Sequence, residues 1–350
     1  PDYLVLHPSI HSFVHSFIRA SDCDPAATLL VDVPCEDCTP RAEIPHVHHR
    51  VGDCLAALEA QTVRPGEVLV LENGSPEGER VTASDLPDWV TFIESGANLG
   101  FAAGNNRLVE KSSGRWVVFL NPDAFARSDW IEQLTAAIER YPDIALFGST
   151  QYSAERPDLL DGAGDVYHAA GLAYRAAYMR PVSFLPEEGE VFGPCGAAAM
   201  VRRDVFETLN GFDESFFCYN EDVDLAFRAR LLGHRAIQLR DAAVDHMGYA
   251  SSGRRSEFAT YHGVRNRTWV FLKNTPDCLL IVLLPLHVSA TLAMWVSSAR
   301  FGCSAEQQSY PRLSMHLMMR ISLPCAKSAT RQKMALFAAR PIGAAAEECW

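Results

Sequence analysis

Two acidic positions carry the strongest chemical suggestion in this chain. The first is Asp123, which ends the stretch Trp116-Val-Val-Phe-Leu-Asn-Pro-Asp. An unbroken apolar run from Trp116 to Leu120 describes a strand buried on both faces, and Pro122 must stop it because proline cannot donate to a sheet ladder. A carboxylate just past the C-terminal end of such a strand stands where open α/β sheets bind ligands. The same residue would also serve as a plain turn cap. The second position is Asn220-Glu-Asp-Val-Asp224. With Asn220 as N-cap, Glu221, Asp222 and Asp224 fall in a first helical turn, where the macrodipole favours negative charge. Asp224 and Arg228, four residues apart, read as a surface ion pair. Phe212, Phe216, Phe217 and Tyr219 precede them and suggest a walled pocket with a carboxylate at its floor.

Two Gly-bearing turns could face the same ligand. In Asn98-Leu-Gly-Phe-Ala-Ala-Gly-Asn-Asn106, Gly100 and Gly104 permit close backbone approach ahead of a helix expected over 106–111, an arrangement that suits a phosphate. The spacing is not that of the dinucleotide fingerprint. Glu72-Asn-Gly-Ser75 follows an apolar strand and reads as a ligand-facing loop or a simple turn. Cys35 and Cys38 with His46, His48 and His49 fit no standard zinc spacing and read as an ordinary loop.

The elements that would position these residues alternate. Strands are expected at 28–33, 67–71, 89–93, 116–120, 144–148, 191–202 and 236–239, with helices at 51–61, 106–111, 129–141 and 221–231 between them. Such alternation argues a mostly parallel sheet covered on both faces. Residues 150–190, rich in Gly, Asp and Tyr, read as an irregular insertion over the sheet edge. The small residues Gly196 to Ala199 leave room for a packed helix or a ligand. Residues 1–26 read as an extension holding a short amphipathic helix, 27–275 as the main domain, and 276–350 as a C-terminal helical region.

Composition sets the outer limits. At 350 residues with 48% hydrophobic and 21% charged positions, the chain can bury a large core. A net charge of −12 excludes the phosphate-neutralising surface that nucleic-acid binding needs. The tail differs in charge: from Asp277 onward seven Lys/Arg face four Asp/Glu, and between Arg300 and Arg340 the only acid is Glu306. With the apolar run from Leu279 to Val296, interrupted by Pro285 and His287, this suggests a helix lying on an anionic membrane face, the alternative being a helical hairpin packed on the main body. Ten scattered Cys and no secretory leader suggest reduced thiols and a cytoplasmic setting, peripheral on the inner membrane face.

Four motifs in order, Glu72–Ser75, Asn98–Asn106, Asn121-Pro-Asp-Ala124 and Gly211–Leu225, resemble those of family 2 glycosyltransferases, and more narrowly the rhamnosyltransferase-like members. The resemblance implies a GT-A fold, α/β with a Rossmann-like sheet, and transfer of a sugar from a nucleoside-diphosphate donor to a glycan or lipid-linked acceptor hydroxyl with inversion, in cell-surface polysaccharide synthesis. It implies Asp222 as the catalytic base. It implies Asp123, with His246, as ligands of a divalent cation, Mg²⁺ or Mn²⁺. Glu72, Asn73, Gly100, Gly104, Asn105, Asn121, Gly196 and Glu221 are then the expected nucleotide-sugar contacts. The first strand departs from the family, ending Val31-Asp-Val-Pro-Cys35 in place of a Thr-Tyr-Asn-like loop. A non-catalytic relative that binds nucleotide sugar or glycan is the alternative this departure raises. The motifs specify neither the sugar, the nucleotide, the acceptor nor the oligomeric state.

Overall fold

The computed structural model describes residues 27–32, 47–76, 78–248 and 257–301. The expected N-terminal helix, the Cys35–Cys38 loop with His46, and the basic segment after Phe301 lie outside the described residues. The order of elements is β1 (Ala27–Asp32), α1 (Val47–Glu59), β2 (Glu67–Glu72), β3 (Val90–Glu94), α2 (Gly100–Lys111), β4 (Trp116–Leu120), β5 (Ala124–Ala126), α3 (Trp130–Arg140) and β6 (Leu146–Ser153). There follow β7 (Leu160–Gly162), β8 (Asp165–His168), β9 (Leu172–Arg175), β10 (Gly189–Val191), β11 (Ala198–Arg202), α4 (Arg203–Thr208), α5 (Glu221–Leu231), β12 (Ala236–His246), α6 (Glu257–Asn274) and α7 (Asp277–Phe301).

Ten strands form one sheet, with the path β10-β12-β6-β11-β4-β1-β2-β3, β5 pairing with β12 and β7 with β6. The half from β4 to β3 is parallel, as the buried apolar runs require. The other half is mixed: β11 runs antiparallel to both β4 and β6, while β12 and β6 are parallel. The expectation of a mostly parallel sheet therefore holds for one half only. The reason is local. The stretch expected as one strand over 191–202 breaks at Gly193-Pro-Cys-Gly196 into β10 and β11, and β11 re-enters the sheet in the opposite sense.

β4 is buried at every position and lies at the centre, with Phe119 packing edge-on to Phe212 at 4.8 Å. The 150–190 region is more ordered than its composition suggests: β8 and β9 make a separate hairpin. Helix α2 starts at Gly100, six residues before the expected start. Asn73 explains this, because its Oδ1 accepts from Leu99 N at 2.9 Å and its Nδ2 donates to Gly100 O at 3.2 Å, which clamps the turn into the first helical residues. Gly100 sits at φ +71, and a Cβ there would stand 2.4 Å from the Phe217 ring.

Candidate active site

The two acidic motifs meet at one cleft of about 680 Å³, a size suited to a small-molecule ligand. Its walls include Asn121, His246, Asp222, Glu221 and Tyr219, and from the β8–β9 side Asp165, Arg175 and Tyr178. Asp123 lies directly behind the first two. β5 pairs with the end of β12 in a register that sets His246 opposite Ala124, and this brings His246 Nε2 to 3.4 Å from Asp123 Oδ1. Asn121 Nδ2 stands 3.1 Å from the same ring nitrogen. On its other side His246 Nδ1 meets Asp161 Oδ2 at 2.6 Å, and Asp161 is also paired with Arg175.

The electrostatics follow from this chain of groups. Burial opposes charge on His246, but Asp123 and Asp161 on either side lift its pKa to about 9. Burial would raise the Asp123 carboxyl, yet His246 beside it holds it below the usual range. Asp161 is likewise held low, at about 2, by Arg175 and His246 against the effect of burial.

These residues fit a divalent cation. Asp123 offers a carboxylate, His246 an imidazole whose far nitrogen is already oriented by a carboxylate and whose near nitrogen would give up its proton to a cation, and Asn121 a buried Oδ1 with no hydrogen-bond partner among the described residues. Hard cations take such oxygen donors, and a carboxylate behind a ligating histidine is the usual outer partner. Among the described residues no group of three or more His, Cys, Asp and Glu is placed to hold a metal ion.

Asp222 reaches the cleft from the first turn of α5. Gly196 N donates to its Oδ2 at 2.9 Å and Val223 N to its Oδ1 at 2.8 Å. Gly193, just ahead of the small-residue run, packs on α5, where a Cβ on it would stand 2.4 Å from that of Ala226, while Ala197 within the run lines the cleft. Gly196 holds the carboxylate in place through its backbone. Burial raises the neighbouring Glu221 carboxyl to about 8. Across from Asp222, burial and the Asp222 charge push the Asp165 carboxyl well above its ordinary range.

Other expected contacts lie elsewhere. Glu72 accepts from Ser75 N and Oγ, each at 2.6 Å, and from Val81 N at 3.2 Å, so both its oxygens are engaged by its own loop. Asn73 clamps the start of α2. Asn105 donates to Phe101 O within the helix, and Gly104 is a buried position of the same helix. None of the four lines the cleft around Asp222. Asn220 occupies the N-cap position but in a left-handed conformation, with no side-chain cap bond. Of the four aromatics only Tyr219 faces the cleft; Phe212 and Phe216 are core residues. The Asp224–Arg228 pair is buried, at 0% and 1% side-chain exposure, because α6 brings Lys273 and Asn274 onto Asp224. Asp161, Asp165 and Arg175 were not singled out in the sequence; the only signal was the density of Asp and Tyr in 150–190.

The profile of the family described as Glycosyl transferase family 2 matches residues 48–209. The chain is 30% identical to an N-acetylglucosaminyl-diphospho-decaprenol L-rhamnosyltransferase of Mycobacterium tuberculosis, over 62% of this chain and 78% of that protein. It is 28% identical to a low-salt glycan biosynthesis hexosyltransferase, Agl10, of Haloferax volcanii, over 47% and 53%. Its fold matches residues 1–349 of S. aureus TarS with a TM-score of 0.50 and 13% identity, over 84% of this chain and 87% of that one. The fold is that of GT-A glycosyltransferases, and the chain belongs to glycosyltransferase family 2, as a hexosyltransferase similar to its rhamnosyltransferases.

Proposed function

We propose that this enzyme is an inverting, divalent-cation-dependent glycosyltransferase that moves a hexose, rhamnose by analogy with the Mycobacterium relative, from a nucleoside-diphosphate donor to a lipid-linked glycan. The observation that carries this reading is the single cleft shared by Asp222 and the Asn121–His246 pair, with Asp123 behind it. Asp222, steadied by the Gly196 amide, takes the proton of the acceptor hydroxyl. The acceptor oxygen attacks the anomeric carbon as the bond to the diphosphate breaks, so the sugar inverts in one displacement. Asp123, His246 and Asn121 would hold the cation, which when bound offsets the charge developing on the diphosphate. Glu221, kept protonated at neutral pH by burial, adds no second negative charge beside the base.

The lipid-linked acceptor is supported by α7. Its stretch Asp277–Met294 has mean hydropathy 1.9, is only 11% buried, and by length and composition alone is apolar enough to cross a membrane. Ile281 and Val282 are 77% and 71% exposed, while the polar His287 and Thr291 turn inward. In this reading residues 27–275 form the catalytic body, and α7 rests in the cytoplasmic face of the membrane through its outer side.

The test is transfer from a panel of nucleoside-diphosphate sugars to N-acetylglucosaminyl-diphospho-polyprenol, with Mg²⁺, Mn²⁺ or EDTA. Asp222→Asn is expected to lower transfer by about 10²–10⁴-fold while sparing donor binding. Wild-type turnover in Asp222→Asn, or full activity in EDTA, would overturn the assignment. Ile281→Glu/Val282→Glu is expected to abolish flotation with phosphatidylglycerol vesicles; unchanged flotation refutes the membrane role of α7.

A further inference from the structure

The peptide segment that delivers Asp222 to the cleft has an unusual backbone. Phe217, Tyr219 and Asn220 all have positive φ, at 62°, 71° and 63°, and none is glycine. Side chains disfavour this region, and such residues persist only where the surroundings impose them. Left-handed residues turn successive carbonyls toward one side, and here the carbonyls of Phe216, Cys218 and Tyr219 converge on one atom. That atom is Nδ2 of Asn266, at 2.9, 2.7 and 2.7 Å. Asn266 lies on α6 and is fully buried. Its Oδ1 accepts from Arg265 Nε at 2.8 Å, and Arg265 Nη2 donates to Phe216 O at 2.7 Å and Ser215 O at 3.2 Å. The Arg265 guanidinium lies over the Trp269 ring at 4.3 Å, which fixes its plane.

We propose that Asn266, oriented by Arg265, is a positioning residue for sugar transfer: it holds three carbonyls of the left-handed turn and thereby aims the Asp222 carboxylate at the acceptor. The argument rests on the proposed role of Asp222. Without the amide donor, the carbonyls of Cys218 and Tyr219 lose their bond to Asn266, while that of Phe216 keeps Arg265 Nη2 and Cys218 N, and the turn is expected to relax toward negative φ. Asp222 begins two residues after that turn, so relaxation rotates its Cα–Cβ direction relative to Gly196. Asn121, one residue past β4, and His246, at the end of β12, are held by the sheet and not by this turn, so donor binding there is expected to be spared. Asn266 lies outside the residues matched by the family profile, 48–209.

The experiment compares Asn266→Asp, Asn266→Ala and Arg265→Lys with the wild type by kcat, donor KM and thermal midpoint. Asn266→Asp keeps the shape and replaces the donor by an acceptor; kcat is expected to fall about 100-fold, the scale of an ångström-level misplacement, with donor KM within about threefold. Arg265→Lys keeps the charge but loses the Nε–H to Asn266, and a clear fall in kcat at unchanged KM is expected; this variant carries the test if Asn266→Asp does not fold. Adding Asn220→Gly to Asn266→Ala supplies a residue that tolerates positive φ, and it is expected to recover about tenfold in kcat. The proposal is overturned if Asn266→Asp and Arg265→Lys lower the midpoint but leave kcat unchanged, if KM and kcat collapse together, or if Asn220→Gly restores nothing. Failure of this proposal alone shows Asp222→Asn inactive but Asn266→Asp active; an active Asp222→Asn instead removes the base assignment beneath it.

Discussion

Asp224→Asn offers a quantitative test of how α5 is fastened. The Asp224 carboxylate is fully buried and takes Arg228 Nε at 2.7 Å on one oxygen, and Lys273 Nζ and Asn274 Nδ2 at 2.7 Å each on the other. Lys273 Nζ also meets Asp213 Oδ2 at 2.7 Å, so two cations balance two anions, with Asp224, Arg228 and Lys273 buried and Asp213 15% exposed. Asparagine keeps the shape and leaves one excess buried positive charge. Removing one partner from a buried pair costs about 3–5 kcal/mol, whereas the exposed i,i+4 pair expected from spacing would be worth about 0.3–0.5 kcal/mol. At roughly 2 °C per kcal/mol for a body of this size, the midpoint should drop by about 6–10 °C. The assay is thermal unfolding of the full chain as wild type, Asp224→Asn, Lys273→Met and the double variant. The double variant restores charge balance between Arg228 and Asp213, so its cost should fall short of the summed single costs by about 0.5–3 kcal/mol. A single-variant midpoint within about 1 °C of wild type, the signature of a solvated pair, or strictly additive costs would refute the buried network.

Three other substitutions address separate parts of the site. Asp161→Ala removes the carboxylate behind His246 and should raise the Mn²⁺ concentration for half-maximal activity by about 10–100-fold, read by metal titration of turnover. Glu221 has a folded pKa of about 8, above its unfolded value, so its folded form is favoured at low pH and that advantage is lost as pH rises to 8. Glu221→Gln, permanently neutral, should therefore flatten a decline in stability of about 1.4 kcal/mol per pH unit across that window, and identical pH profiles of the melting midpoint would count against it. Gly100→Ala places a Cβ at positive φ against Phe217 and should destabilise by about 1–3 kcal/mol while lowering kcat through the turn that Phe217 begins; a neutral midpoint would show that the ring moves aside freely.

The site was legible in the sequence where its residues sit in contiguous motifs. Asp123 could be placed because an apolar run and a proline fix where β4 ends; Asp222 was singled out by the resemblance of its motif to the family, since an acidic helix start alone reads as capping. What supports them was not legible, because it arrives from distant chain segments. Asp161 reaches His246 from β7 and Asn266 reaches the turn from α6, and nothing in local periodicity announces either contact. The Asp224–Arg228 pair shows the same limit: spacing gave the partners, while the burial that makes the pair matter depends on α6. The parallel half of the sheet followed from unbroken apolar runs. The antiparallel return of β11 did not, because a run of Ala and Gly carries no direction.

His287 joins two parts of the molecule that the chain keeps far apart. On α7 it stacks against Phe271 of α6 at 4.2 Å, with rings 6° from parallel, and meets Ala170 O at 2.8 Å through Nδ1. Ala170 and Gly171 form the tip of the β8–β9 hairpin, and a Cβ on Gly171 would stand 2.5 Å from His287 Nδ1, so the contact has no slack. The same hairpin carries Tyr174 and Arg175 into the cleft wall. If α7 rests on a membrane as proposed, the His287 contacts tie its placement to that of the cleft wall. Height and bearing of the cleft above that surface are then set by how deep and at what roll angle α7 lies, and an acceptor must meet the cleft by its own reach.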